Sequence, residues 1–310
     1  LQLGFGARVV FDVNGENVDK LVAGKMSIEK KKWENGPQYS APVFEFTSAP
    51  QPGTYTLAEV GELTGNLADI TVEGLSGKKY SLDYADGKLT ITVSDSRDSE
   101  SVVWTGANGS IWDLMESENF NSSDKKFVSG DNVTFDDTAV KSDVKINEDL
   151  APGNIVFNND KLVYTLSGNG AIEGNGSVTL KGKMAVNIKN TNRYTGGTYI
   201  DGGYARPTTL ANKDGLAYGA LGGADNTITI SNNGKLYVNT AMTSSHPIVL
   251  GENGGQIETY NGAKLIVNGG ISKAYKASNR DLYKLGNGTL QLNCTADFDK
   301  LYINAGTVYD

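Results

Sequence analysis

From Lys141 onward the chain repeats one short phrase: four or five β-favouring residues closed by Asn or Gly. It reads "DVKINEDL", "GNIVFNN", "LVYTLSGNG", "GSVTLKG", "MAVNIKN", "GTYIDGG", "NTITISNNG", "KLYVNT", "HPIVLGENG", "GQIETYNG", "KLIVNGG", "GTLQLNC" and "KLYINAG". Centres lie roughly 8–12 residues apart, which suits a β-sandwich, a barrel or a solenoid. Three features favour the solenoid. The units resemble one another, as stacked turns do and sandwich strands need not. Asn and Gly follow the strands, where left-handed backbone turns a corner. Inward Val, Ile and Leu alternate with polar outer residues. The expected fold is therefore all-β: a right-handed parallel β-helix.

The first part reads differently. "ARVVFDV", "PVFEFTS", "GTYTLAEV", "ADITVEGL", "KYSLDYA" and "KLTITVS" alternate with period two between turn clusters. Asp86-Gly87 between two such runs predicts a tight hairpin. Residues 1–95 are expected to form a β-rich module. The polar run Ser94–Ser101 contains a linker at 96–101, and the solenoid is expected over 102–310. The one helix candidate is "SIWDLMESENF", Ser110–Phe120, with Ser110 as cap and Ile111, Leu114 and Met115 on one face.

Composition narrows the function classes. Thirty-eight glycines against seven prolines supply the turns, while 38% hydrophobic residues suffice for a folded core. The net charge of −8 disfavours nucleic acid and anionic membranes as partners. The dense basic run "KMSIEKKKW", Lys25–Trp33, reads as a solvated edge or loop. No run approaches the ~18 apolar residues of a membrane helix, so no membrane insertion is expected. The chain opens Leu1-Gln2-Leu3 rather than with Met, which reads as a fragment or processed product without a visible signal peptide. The single cysteine, Cys294, excludes an internal disulfide and a cysteine-based zinc site. The single histidine, His246 in "SSHPIVL", has no local feature pairing it with Cys294.

The stretch "NTNRYTGGTYIDGG", Asn190–Gly203, places Gly196-Gly197 and Gly202-Gly203 on either side of a short strand. Both pairs read as corners, with Tyr194 over the edge before the first. With "YGALGGADNTITISNNGKLYV" following, Asn192–Val238 resembles the autotransporter-associated β-strand repeat of large secreted or surface proteins of Gram-negative bacteria. "VVWTGANGSIWD" with "FVSGDNVTFDD" is similar to the opening of such a block, and the first module is similar to the tail of a preceding one. "LGNGTLQLNCTADFDKLYINAGTVYD" resembles a further repeat. The resemblance implies a passenger-like extracellular or cell-surface solenoid and no single activity. "ARPTTLANKDG", Ala205–Gly215, departs from the repeat and is the segment expected to project.

Candidate chemistry is sparse. Asp131, Asp136 and Asp137 in "GDNVTFDD" are the acids that would serve a hydrolase or a calcium ion. Asp136 and Asp137 are adjacent, so a strand would point them to opposite faces; a structural turn is the simpler reading. Arg193, Arg206 and Arg280 lack an acidic cluster of the lyase type, and no phosphate-binding loop, dinucleotide fingerprint or nucleophile elbow is present. Trp104 and Trp112 read as a hydrophobic cap on the solenoid end. The candidate ligand contacts are Trp33, Tyr204, Tyr218 and Tyr275, because aromatic faces stack on sugars, together with Arg206 in the segment expected to project. No catalytic, cofactor or metal residue is assigned, calcium being the one ion the acids would suit.

These readings predict a non-catalytic extracellular scaffold or adhesin segment whose side face and loops bind host or matrix protein or polysaccharide. The alternatives are a glycan-binding accessory segment of a larger carbohydrate-active enzyme, and a polysaccharide lyase or hydrolase on a β-helix.

Overall fold

Period-two alternation becomes, in three dimensions, ladders of short strands with apolar residues turned to one side. The computed structural model describes residues 1–310 except 5, 15, 16, 30, 33–38, 76, 77, 96 and 261. Apart from one 3-10 turn at Leu67–Asp69, the regular structure among the described residues is β. The chain divides into two compact units, Leu1–Asp98 and Ser99–Asp310.

In the first unit the chain alternates between two sheets. Gln2–Leu3, Leu21–Ile28 and Gly53–Thr64 stack in parallel in one, and Arg8–Phe11, Val43–Phe46 and Thr71–Glu73 in the other. The pattern then changes to the antiparallel hairpin expected at Asp86-Gly87. Lys78–Ala85 pairs with Lys88–Asp95, and both turn residues have positive φ, 50° and 71°. Phe11 packs on Phe44 and Phe46 at 5.3 and 5.4 Å between ring centroids. Arg8 spans the three-stranded sheet, reaching Glu45 at 2.6 Å and Glu73 at 2.8 Å.

In the second unit two eight-stranded parallel sheets run side by side in sequence. The first runs from Ser101–Val103 to Ile271–Lys273, the second from Asp143–Lys145 to Leu301–Ile303. From Met242–Ser244 onward the chain adds a third, four-stranded parallel sheet ending at Thr307–Tyr309. Each strand pairs with the equivalent strand about one repeat later: Ile155 with Val178, Val178 with Thr198, Thr198 with Ile228, Ile228 with Ile248. The long step, Thr198 to Ile228, accommodates a small excursion with its own two-stranded hairpin, Tyr218–Gly219 and Gly222–Gly223. Inward positions form one continuous core, including Phe135, Ile155, Leu180, Ile200, Ile230 and Leu250.

The two glycine pairs divide their labour. Gly197 (φ +91°) and Gly202 (φ +75°) hold left-handed backbone at the ends of Thr198–Asp201. Gly196 and Gly203 supply room instead: a Cβ would lie 2.4 Å from the carbonyl oxygen of Gly176 and 2.3 Å from that of Leu180. Tyr194 does not lie over an edge. It is buried in the core, its hydroxyl 2.7 Å from Thr198 Oγ1, because that hydroxyl partner removes the penalty of taking the ring inside.

Three further expectations are corrected or located. Ser110–Phe120 forms no helix: Met115 has φ +62°, and Asp113 accepts from Ser117 N and Oγ at 2.7 and 2.6 Å. Ile111 bridges to Lys145 instead, and Trp112 is drawn into an aromatic cluster with Phe120, Phe127 and Phe135. Trp104 and Trp112 are both fully buried there. The segment Ala205–Gly215 does not project as a whole. Ala205, Arg206 and Pro207 belong to the strand Tyr204–Pro207, and Leu210 and Ala211 pack back into the interior. Pro207 is tolerated because it ends the strand, and the exposed tip is residues 213–218.

Candidate functional site

The alternation that buries Ala205, Leu236, Ile257 and Leu282 turns their neighbours outward on the second sheet. Register then builds columns. Tyr204 stands opposite Lys235, Lys235 opposite Gln256, Gln256 opposite Tyr283, and Tyr283 opposite Tyr302. Tyr237 stands opposite Glu258 in the adjacent column. Five tyrosines thus collect along one face or its margin: Tyr204, Tyr237, Tyr260, Tyr283 and Tyr302.

Contacts fix their geometry. The Arg206 guanidinium lies 4.7 Å from the centroids of both the Tyr204 and Tyr237 rings, and its Nη2 donates to Tyr204 Oη at 2.9 Å. Lys235 Nζ sits 5.0 Å from the Tyr204 centroid and 2.9 Å from a Glu258 carboxylate oxygen. Tyr237 and Tyr260 stack at 6.0 Å, and Tyr283 and Tyr302 at 4.8 Å with 9° between planes. Burial, reinforced by neighbouring Tyr204, raises the Tyr237 phenol above its ordinary range. The face offers flat rings, fixed cations and hydroxyls over several repeats. It suits many shallow contacts with an extended partner.

A second, larger cleft of about 630 Å³ opens on the excursion. Tyr218, 45% exposed, lies against Gly223, its partner across the small hairpin; a Cβ there would meet the ring at 3.4 Å. Lys213 pairs with Asp225 at 2.7 Å, and Arg193 with Asp149 and Glu173 at 2.5 and 2.9 Å. Acids outnumber cations in this set, so it does not attract an anion.

Of the contacts read from sequence, Tyr204 and Arg206 are brought together. Tyr218 lies in the excursion cleft, and Tyr275 is 88% exposed in the segment after Ile271–Lys273 with Lys276 Nζ 5.2 Å from its ring. Trp33 lies outside the described residues. Tyr237, Tyr260, Tyr283, Tyr302 and Lys235 escaped the sequence reading. The signal was present for four of them, since Lys235, Tyr237, Tyr283 and Tyr302 each fall beside an apolar inward residue in "GKLYV", "DLYKL" or "KLYI", whereas Tyr260 in "GQIETY" follows the polar but buried Thr259.

The acids are engaged by their own backbone. Buried Asp131 accepts from Glu100 N and Val128 N at 2.8 Å each. Asp136 accepts from Thr138 N and Oγ1 at 2.9 and 2.6 Å. Asp137 accepts from Asp160, Lys161 and Leu162 N at 2.9–3.0 Å. Partial burial pushes Asp137 upward, but these three N–H groups outweigh it and hold the carboxyl below its ordinary range. Among the described residues no group of three or more His, Cys, Asp or Glu comes together, and no helix is long and apolar enough to cross a membrane. Comparison with protein-family models, curated proteins and solved structures returns no match, so no family is assigned to the chain.

Proposed function

We propose that the second unit is a right-handed parallel β-helix of the autotransporter-associated repeat type. On this reading the chain is a non-catalytic, extracellular or cell-surface scaffold or adhesin segment, and its tyrosine face binds a host or matrix macromolecule. The observation that carries the reading is the row Tyr204–Arg206–Tyr237–Tyr260, in which rings and a guanidinium are held in fixed register across successive parallel strands. The strand order and the repeat spacing support the β-helix. The engagement of Asp131, Asp136 and Asp137 by backbone N–H groups supports a structural role for these acids.

A second reading, a glycan-binding accessory segment of a larger carbohydrate-active enzyme, draws on the exposed Tyr218 ring above its cleft. One experiment tests both. The chain is incubated with immobilised mucins, plant and bacterial polysaccharides and matrix proteins, with and without calcium, and binding and product release are scored together. Saturable binding without product, weakened by Tyr237→Ala, is the expected result. Weakening by Tyr218→Ala instead transfers the binding to the excursion. Product release in the presence of calcium defeats the non-catalytic reading.

A further inference from the structure

Beside the tyrosine face, Asn187, Lys189, Arg206, Thr208, Tyr237 and Asn239 line a cleft of about 210 Å³. Among the described residues no carboxylate lines it, and neither Lys189 nor Arg206 has an ion-pair partner. On a chain of net charge −8, two cations without acids form a local field that draws anions. The excursion cleft is the opposite case, since its cations are already matched by Asp149, Glu173 and Asp225.

Arg206 is also pre-aimed. Its guanidinium packs against the Tyr204 and Tyr237 rings, which meet edge to face beside it, and Nη2 is taken by Tyr204 Oη. Its Nε–H is buried and has no acceptor among the described residues. A buried donor without a partner is costly and calls for an explanation. A carboxylate entering from the cleft would meet the guanidinium at Nη1, which has no hydrogen-bond partner among the described residues, and a small turn of the side chain would bring Nε into the fork geometry that guanidinium favours. The remaining groups favour a sugar over a bare ion. Tyr237 and Asn239 add a phenol and an amide, Thr208 Oγ1, which donates to Ile188 O at 3.3 Å, keeps its acceptor capacity, and Asn187, whose Nδ2 faces Tyr164 O and Thr165 Oγ1, retains its Oδ1 as acceptor. The volume admits one ring, not an oligosaccharide.

We propose that the Lys189–Arg206 cleft binds a carboxylate-bearing sugar, the acidic unit of a glycan lying along the tyrosine face. The proposal rests on the side-face reading and names its ligand class. The test titrates the whole chain with glucuronate, glucose and inorganic sulfate, observed by ligand NMR. Glucuronate is expected to bind at least about tenfold more tightly than glucose or sulfate, and more weakly as salt is raised. Arg206→Gln and the exposed Lys189→Gln should each weaken it several-fold, and Tyr218→Ala should leave it unchanged. Equal binding of glucose, equal binding of sulfate, or no effect of Lys189→Gln overturns the proposal. Failure of glucuronate alongside Tyr237-dependent capture of a neutral polymer or protein removes the acidic-sugar inference alone. Failure of every ligand and polymer removes the side-face reading too.

Discussion

His246 Nδ1 lies 2.8 Å from the carbonyl oxygen of Asn226, while its Nε2 accepts from Ala211 N at 3.3 Å. These bonds define a neutral imidazole with the proton on Nδ1, fully buried and tying both ends of the excursion to the strands behind it. Ser245 adds to the tie, donating from its N to Ala211 O at 2.9 Å and accepting from Lys213 N at 3.0 Å. With both ring nitrogens given to backbone groups, His246 is a strut and not the base of a cysteine nucleophile.

Burial lowers the His246 pKa, with the Asn226 bond opposing it. The unfolded chain takes up its proton near pH 6.5, where the folded chain remains neutral. Stability is therefore complete above about pH 6.5 and declines as pH falls from there toward the depressed folded value. Urea unfolding between pH 7.5 and about 5.5 should show this decline in the native chain. In His246→Gln the slope over that window should be much reduced; an unchanged slope would place the titration elsewhere.

Gly196 and Gly203 make the clearest test of the close stacking. In each, an added methyl meets a carbonyl oxygen of the neighbouring repeat at under 2.5 Å, and backbone cannot step aside as a side chain can. Gly196→Ala and Gly203→Ala should each lose about 2–3 kcal/mol in denaturant unfolding. Gly24→Ala, where a Cβ meets nothing within 4 Å and φ is not positive, should change stability by less than about 0.5 kcal/mol.

The corners and inward apolar positions were legible because each depends on local chemistry: alternation for burial, glycine for the turn. The tyrosine face was only half legible because it depends on register between repeats. By sequence, "KLYV" at Lys235–Val238 and "KLYI" at Lys300–Ile303 look equivalent, which would place Tyr237 and Tyr302 in one column. The structure follows Leu236 with Ile257, Lys284 and Ile303, so Tyr302 falls two residues away, in line with Tyr283 and Gln256. The helix read at Ser110–Phe120 failed for a related reason: the burial of Trp112 among distant Phe127 and Phe135 outweighed local periodicity.

Lys284 is the residue alternation would most readily misplace, since it occupies an inward position. Its ammonium donates to the carbonyl oxygens of Leu285, Gly286 and Ala305 at 2.7, 2.8 and 3.1 Å. Burial lowers its pKa, with nearby Glu258 acting the other way. The unfolded lysine holds its proton to about pH 10.4, so stability should rise with pH between the lowered folded value and that limit. Lys284→Met exchanges a desolvated charge for three carbonyls without their donor. The two effects should nearly cancel, to within about 1 kcal/mol at neutral pH. What should disappear is the rise, read as the difference between native and variant unfolding midpoints from pH 8 to about 10.

Asp131 separates a structural role from a catalytic or calcium-binding one. Its two carboxylate oxygens hold Glu100 N and Val128 N, joining the entry to the strand Ser101–Val103 with the loop before Asn132–Asp136. The carboxylate is fully buried, so removing it strands two N–H groups away from water. Asp131→Ala should cost about 2–4 kcal/mol, and Asp131→Asn, which keeps one acceptor, about half of that. A calcium ligand would behave differently: its loss would erase any stabilisation by added calcium. Melting of the native and Asp131→Ala chains in calcium and in chelator should instead show one constant difference. A difference that grows with calcium would assign Asp131 to an ion and revive the acids as a functional group.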